Sequence, residues 1–300
     1  MSCRVRAKPF TMTVLQAIQR SSEFLARRGV ESPRLQVEWM LSQLLALPRM
    51  QLYLNFEQIL SEKDLSTLRG MVVRRGNREP LQHILGSVSF CGYELAVGPH
   101  ALIPRPETEI LAEMAWSWLN SRATTGTNSP RALDFGTGTG CLAIAIALKT
   151  PGAWILALDA STEALAVARK NAQSHTLLEK IEFLESTGFD RVPKEMSFDL
   201  IVSNPPYIPS ADIPELEPEV RDHDPLAALD GGEDGLAFFR LIALEAPPRM
   251  RGGGRLMLEI GDGQAEAVRA ILESQKWVVE TVSQDYTGRQ RFITAAPGWN

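Results

Sequence analysis

The sequence predicts an α/β protein: a mostly parallel seven-stranded sheet that ends in an antiparallel hairpin, preceded by a small N-terminal helical domain. Three observations predict it. From Arg131 onward, short apolar runs alternate with helical stretches, which implies right-handed crossovers and a sheet covered on both faces. The first of these runs leads into the glycine-rich turn GTGTG, the kind of turn with which such sheets approach a ligand. Before Pro80 the apolar residues recur at helical spacing instead, and 300 residues are enough for one large domain and a smaller one.

The elements follow in order. Residues 1–12 carry Arg4, Arg6 and Lys8 with no apolar run behind them, so they read as a disordered extension rather than a signal peptide, with Met12 a candidate start. Thr13 can cap a helix that Gly29 ends, and Ser32 and Pro33 open a second that stops before Pro48. A third runs from Ser61, with Asp64 in its first turn, to Gly76. Residues 13–80 thus form a helical domain. SVSFCGYELAV, between Gly86 and Gly98, suits a hairpin, and residues 81–105 read as a hairpin linker. Pro104 and Pro106 forbid a helix before Glu107 and permit one after it. Over 106–300, strands are expected at 132–135, 154–159, 181–184, 198–203 and 254–260. Helices are expected near 139–149, 161–174, 234–246 and 263–275, and the terminal hairpin at 277–283 and 289–296.

Composition narrows the function. A chain 44% hydrophobic, 22% charged and 7% aromatic is an ordinary globular one, and a net charge of -5 supplies no overall cationic field for a polyphosphate chain. The charge is unevenly spread. Residues 1–80 carry 13 basic and 7 acidic side chains, net +6, and residues 81–300 carry 18 and 29, net -11. The positive helical part is a candidate docking element. Cys3, Cys91 and Cys141 are too few for a disulfide framework or a metal cage, which suits a reducing, cytoplasmic setting. His83, His100, His175 and His223 show no metal-binding spacing, so no metal is expected. No window of 18 apolar residues exists, so no membrane partner is expected either.

Three features carry chemistry. In LDFGTGTGC, Gly136, Gly138 and Gly140 let backbone amides reach a ligand at the start of a helix. The spacing is not the GxGxxG of dinucleotide folds, which demotes a nicotinamide cofactor. Asp159, at the end of WILALD, is placed to accept hydrogen bonds from both hydroxyls of a ribose, or alternatively to cap the next helix. DLIVSNPPYIP puts Asn204, Pro205, Pro206 and Tyr207 at the C-terminal end of the fourth strand. A rigid turn would use such residues too. The loop also suits activation of a planar amino group: the Asn204 carboxamide oxygen accepts one N–H, the Pro205 carbonyl the other, and the Tyr207 ring packs on the flat face. A delocalised nitrogen held this way needs no strong general base.

These motifs, in this order, resemble those of class I S-adenosylmethionine-dependent amino methyltransferases, which share a Rossmann-like fold. The longer stretches LQHILGSVSFCGYELAVGPHALIPRPETE, DLIVSNPPYIP, ALDGGEDGLAFFR and GGGRLMLEIGDGQ resemble the release factor glutamine methyltransferases, the PrmC or HemK family, over residues 12–296. The resemblance implies transfer of a methyl group from S-adenosylmethionine, leaving S-adenosylhomocysteine, to N5 of the glutamine in the GGQ motif of class I peptide chain release factors, a step that aids translation termination. It implies that Gly136, Thr137, Gly138, Thr139 and Gly140 surround the amino-acid end of the donor and that Asp159 holds its ribose. Asn204 would sit near the donor methyl and, with Pro205, bind the glutamine amide, while Pro206 and Tyr207 shape the slot. IPRPET, with Arg105, would close over the donor. The helical domain would recognise the substrate.

Two departures from the family pattern stand out. The family usually has an acid and a bulky residue beside the adenine, where this chain has Thr187 and Gly188. A weaker adenine contact, partly compensated by Phe189, is expected. Asp224 stands where the family tends to have glutamate, in a loop that reads as a substrate-side lid. The rival activity is an N6-adenine or N4-cytosine nucleic-acid methyltransferase, since the same loop grips a flipped base's amine. Charge opposes it. Residues 211–234 contain nine acids and one base, Arg221, net -8, which would repel phosphates; the run reads either as a solvated lid or as a surface for a basic protein.

Overall fold

The computed structural model describes residues 11–123 and 129–299. Most of the expected N-terminal extension lies outside them, but Met12 is held in place, its carbonyl accepting from the Leu60 amide at 2.9 Å. The chain divides into two compact units, residues 1–85 and 86–300.

The first unit is helical: α1 (Val14–Arg27), α2 (Pro33–Leu45), α3 (Arg49–Leu52), α4 (Glu62–Gly76) and α5 (Leu81–Leu85). Thr13 and Gln16 make a reciprocal capping box on α1, at 3.3 and 3.1 Å, and Ser61 caps α4 through the Asp64 amide at 3.1 Å. Ile18, Leu25, Met40, Leu41 and Leu52 are fully buried between these helices. Glu38 is buried among them. Its carboxylate accepts from Arg34 Nε at 3.0 Å, Arg49 at 3.1 Å and the Tyr53 hydroxyl at 2.9 Å. Burial pushes this carboxyl up, but the three donors together outweigh burial and hold it below its ordinary value. A lowered carboxyl contributes stability that is present above its unfolded pKa and lost as pH falls through the folded one. Glu38→Ala is therefore expected to cost about 2 kcal/mol, the exposed Arg34 contributing least. In hydrogen exchange on the full chain, corrected for intrinsic rates, α2 should lose protection in this variant and, in the wild type, on acidification below pH 4–5.

The second unit opens with β1 (Ser87–Phe90) and β2 (Tyr93–Ala96), followed by α6 (Pro106–Ala123) with Pro106 in its first turn. Then come β3 (Arg131–Phe135), α7 (Cys141–Lys149), β4 (Trp154–Asp159), α8 (Thr162–Ser174), β5 (Ile181–Glu185) and β6 (Phe198–Ser203). A four-residue helix α9 (Pro218–Arg221), α10 (Ala237–Glu245), β7 (Met250–Glu259), α11 (Ala265–Ser274), β8 (Trp277–Gln284) and β9 (Gln290–Pro297) complete it. Seven strands form one sheet in the order β5-β4-β3-β6-β7-β9-β8, parallel up to β7 and antiparallel at β9 and β8. Alternate strand residues face opposite cores. Ile155 and Ala157 pack with α6, α7 and α8, while Leu156 and Leu158 pack on the face of α10 and α11.

The stretch expected as a linker, 81–105, is divided in the structure. Leu81–Leu85 is helical, and its Ile84 joins the core of the first unit. The hairpin is instead part of the sheet unit, because Phe90 and Leu95 enter the α6–α8 core. Asn171 of α8 fastens it there, accepting from the Ala96 amide at 2.8 Å and donating to the Ala96 carbonyl at 3.0 Å. β7 also begins four residues before the expected strand, at Met250, with a register shift between Phe198 and Leu200 on β6 accommodating Gly252–Gly254.

Candidate active site

β3 is the turning point of the sheet, since the chain proceeds from it outward to β4 and β5 and then returns to β6 on its other side. Open parallel sheets bind ligands in the crevice at such a point, beyond the carboxyl ends of the strands. A cavity of about 290 Å³ lies there. Its wall includes residues 136–139 after β3, Asp159 at the end of β4 with Ala160 and Ser161 after it, Ser186 and Thr187 after β5, Asn204 and Pro206 after β6, Arg105 just before α6 and Thr108 in its first turn.

The glycine turn is built by backbone geometry. Gly136, Gly138 and Gly140 have φ of +73°, +55° and +83°, a region that disfavours a side chain. The Gly136 and Thr137 amides both donate to the Leu158 carbonyl, at 2.8 and 2.9 Å. Gly138 donates to Asp159 Oδ2 at 2.8 Å, and Asp159 Oδ1 accepts from Ser161 N at 3.0 Å. Burial raises the Asp159 carboxyl against these backbone donors. Gly140 does not line the cavity: a Cβ there would stand 3.1 Å from the Ala168 Cβ, so this glycine lets α7 and α8 approach.

Asp134 was not singled out in the sequence. It is fully buried, and its Oδ2 accepts from Thr137 Oγ1 at 2.6 Å and from the Ala143 amide at 3.1 Å, pinning the turn to the first residues of α7. Burial pushes its carboxyl up to about 7, against those two donors. The available signal was an acid inside an otherwise apolar strand directly before GTGTG.

Asn204 reaches the cavity with its amide already oriented. Nδ2 donates to Thr108 Oγ1 at 3.1 Å, and Thr108 Oγ1 donates to Glu259 Oε2 at 2.8 Å. Asn204 Oδ1 has no partner among the described residues. Pro206 lines the cavity, while Pro205 and Tyr207 stand outside its wall. The expectation that the Tyr207 ring faces the ligand is not met by this cavity. The ring lies under the Arg291 guanidinium, 5.5 Å from its centroid, and the hydroxyl accepts from Arg291 at 3.2 Å. The Tyr207 carbonyl accepts from Gln264 Nε2 at 2.9 Å, so this residue braces the loop from behind.

At the end of β5, Thr187 is exposed on the cavity wall, whereas Gly188 is buried outside it. A Cβ on Gly188 would stand 3.0 Å from Glu245 Oε2, which accepts from the Phe189 amide at 3.0 Å. Phe189 is corrected as a compensating contact: it stacks on Phe135 at 5.2 Å in the α10–α11 core and is absent from the cavity wall. On the opposite rim, Arg105 pairs with buried Asp224 at 2.6 Å, joining the IPRPET segment to the acidic loop that brings Pro225, Ala227 and Ala228 to the cavity.

Comparison with known families agrees with this architecture. The family described as "PrmC N-terminal domain" matches residues 16–86, and the "Methyltransferase small domain" matches residues 117–214. Among solved structures, the hMettl16 catalytic domain in complex with MAT2A 3'UTR hairpin 6 matches with a TM-score of 0.54 at 14% identity, over 81% of this chain and 86% of that one, a likeness of fold. The fold and the crevice define a class I methyltransferase with a Rossmann-like sheet and a helical unit before it. The release factor glutamine methyltransferase of Geobacter sulfurreducens is 42% identical over 95% of this chain and 97% of its own length. That of Chlorobaculum tepidum is 40% identical over 94% and 96%. The chain belongs to the release factor glutamine methyltransferase family. Among the described residues no helix is long and apolar enough to cross a membrane.

Proposed function

We propose that this protein methylates N5 of the glutamine in the GGQ motif of class I peptide chain release factors, in the cytoplasm, with S-adenosylmethionine as donor and without a metal. The observation that carries the reading is the Asn204 amide, which lines the cavity with its nitrogen committed to Thr108 and its oxygen without a partner among the described residues. A side-chain amide nitrogen offers two N–H groups to such an acceptor and little nucleophilicity until they are bound.

The residues present fit the donor. The turn with Gly136 and Gly138 leaves the backbone bare, and among the described residues nothing lies within 4 Å of where a Gly136 Cβ would be. Half-buried Asp159 stands at the next strand end, on the cavity wall. When bound, the donor supplies an electrophilic methyl group. Gly136, Thr137, Gly138 and Thr139 would surround its amino-acid end, Asp159 would accept from its ribose, and Thr187 would meet the adenine without an acid's charge. Gly140 and Gly188 would act by shaping the backbone. Asn204 Oδ1 and the Pro205 carbonyl would take the two amide N–H groups, with Pro206 and Tyr207 forming and bracing the slot, and Arg105 closing the rim. The helical unit would recognise the release factor.

Asp159→Ala should weaken donor binding about 10- to 100-fold by calorimetry, because two charged hydrogen bonds are lost, with much of the transfer rate returning at saturating donor. The substrate is tested by offering labelled donor with a release factor, its GGQ→GGA variant, or DNA. Label on the intact factor alone is expected. Label on DNA, or on the variant to the same extent, would overturn the assignment in favour of base methylation. The acidic segment 211–234 supports the protein substrate, although Asp224, Asp222 and Asp234 also pair with Arg105, Arg221 and Arg240.

A further inference from the structure

We propose that Thr108 and Glu259 are positioning residues that set the polarity of the Asn204 amide, and that ionised Glu259 is what turns Asn204 Oδ1 toward the substrate. The inference rests on the role proposed for Asn204 and extends it to two buried side chains that do not touch the reacting atoms.

An asparagine amide has two faces of opposite character, and a half-turn about its last bond exchanges them. For a substrate that presents N–H groups, only one orientation works. Thr108 decides which, because a hydroxyl has one proton to give. Its oxygen lies between Glu259 Oε2 at 2.8 Å and Asn204 Nδ2 at 3.1 Å. An ionised carboxylate can only accept, so it takes the Thr108 proton. The Thr108 oxygen must then accept, so Nδ2 faces it and Oδ1 faces away. With a proton on the Glu259 carboxyl the order can reverse. Glu259 then donates to Thr108, the hydroxyl turns to Asn204, and Asn204 presents Nδ2 to a substrate that is itself a donor. Two donors then oppose each other where an acceptor is needed.

The surroundings suit Glu259 to control the amide in the neutral range. It sits at the end of β7, 1% exposed. Burial pushes its carboxyl up to about 7, opposed by the Thr108 hydrogen bond and by the charges of Arg291 on β9 and Arg105 before α6, and reinforced by Glu107 of α6. The Tyr207 phenol, after β6, is a further titratable neighbour and is raised by its own burial and by Glu259. Asn204 and Thr108 are 96 residues apart, and Thr108 and Glu259 are 151 apart. The fold therefore brings three elements together to hold one amide.

The test is single-turnover transfer to a release factor between pH 6 and 8.5, with donor binding measured alongside as a check of folding. The wild type should rise to a plateau above about pH 7. Thr108→Val, which keeps the shape and removes the hydroxyl, should lower the rate about 10- to 100-fold and donor affinity far less, as loss of an oriented acceptor does. It should also flatten the pH profile. Thr108→Ser should restore both rate and profile. Glu259→Gln should lose the acid limb, since its side chain no longer titrates. Wild-type rates in Thr108→Val, no rescue by serine, or an unchanged acid limb in Glu259→Gln would overturn the proposal. Asn204→Ala separates the two levels: if it loses transfer while Thr108→Val does not, only the polarity control fails, and if it retains transfer the reading of Asn204 itself fails.

Discussion

Asn204→Ala is expected to lower the rate of methyl transfer roughly 10²- to 10³-fold, the loss that follows removal of one preorganised polar group at a reacting centre. The reason is local. In the structure the Asn204 side chain, after β6, lines the cavity with an acceptor atom that has no partner among the described residues. Alanine removes that acceptor and leaves the backbone of the loop in place, because Tyr207 is still held by Gln264 and Arg291. Donor binding should change little, since Asp159 and the glycine turn are untouched. Asn204→Asp makes a sharper comparison. A carboxylate keeps the acceptor but has no N–H for Thr108, so Thr108 must divide its proton between two acids and a second buried negative charge is added beside Glu259. It should also be strongly impaired. Rapid-quench measurement of label on the release factor checks both variants, and wild-type turnover in Asn204→Ala would remove the amide-binding mechanism.

Much of this site could be read in the sequence because its parts lie at strand ends, where local pattern is informative. The apolar runs that became β3, β4 and β6 end at the residues that line the crevice, so GTGTG, Asp159 and Asn204 were placed once the strands were. What the pattern could not give were pairings between distant elements. Thr108 ends the proline-rich IPRPET segment, and Glu259 reads as one more residue of a sheet strand, yet they meet 2.8 Å apart beside Asn204. Arg105 and Asp224, 119 residues apart, are a similar case. Phe189 failed as a predicted adenine contact because its backbone is tied to Glu245 of α10, which turns the ring inward onto Phe135. The hairpin read as a connector because short exposed strands usually are one. Phe90 and Leu95, each at most 2% exposed, make it part of the core instead.

Gly235→Ala is expected to damage both stability and catalysis, through contact with the same loop. The stretch DGGEDG runs back along the residues after β6: the Ile208 amide donates to the Leu229 carbonyl at 3.1 Å, and Gly231 donates to the Ile208 carbonyl at 2.8 Å. At Gly235 the approach is closest. A Cβ there would collide with the Tyr207 carbonyl oxygen and stand 2.8 Å from Gln264 Nε2, and its φ of +73° disfavours any side chain. Neither neighbour can yield freely, because Gln264 Nε2 donates to that carbonyl while its Oε1 accepts from the Gly261 amide at 2.8 Å. Left-handed strain and overpacking together should cost about 2–4 kcal/mol. The displaced carbonyl belongs to the residue that braces Asn204 and Pro206, so transfer should fall further than the lost stability alone explains. Gly232→Ala provides the comparison. It has the same backbone strain, φ +88°, but among the described residues its Cβ would meet only the Ala237 Cβ, at 3.2 Å, so it should cost about 1 kcal/mol and leave the loop in place. Urea unfolding and single-turnover transfer at a temperature where both variants are folded test the contrast. Equal stability and equal rates in the two variants would show that contact with Tyr207 is not what requires glycine at position 235.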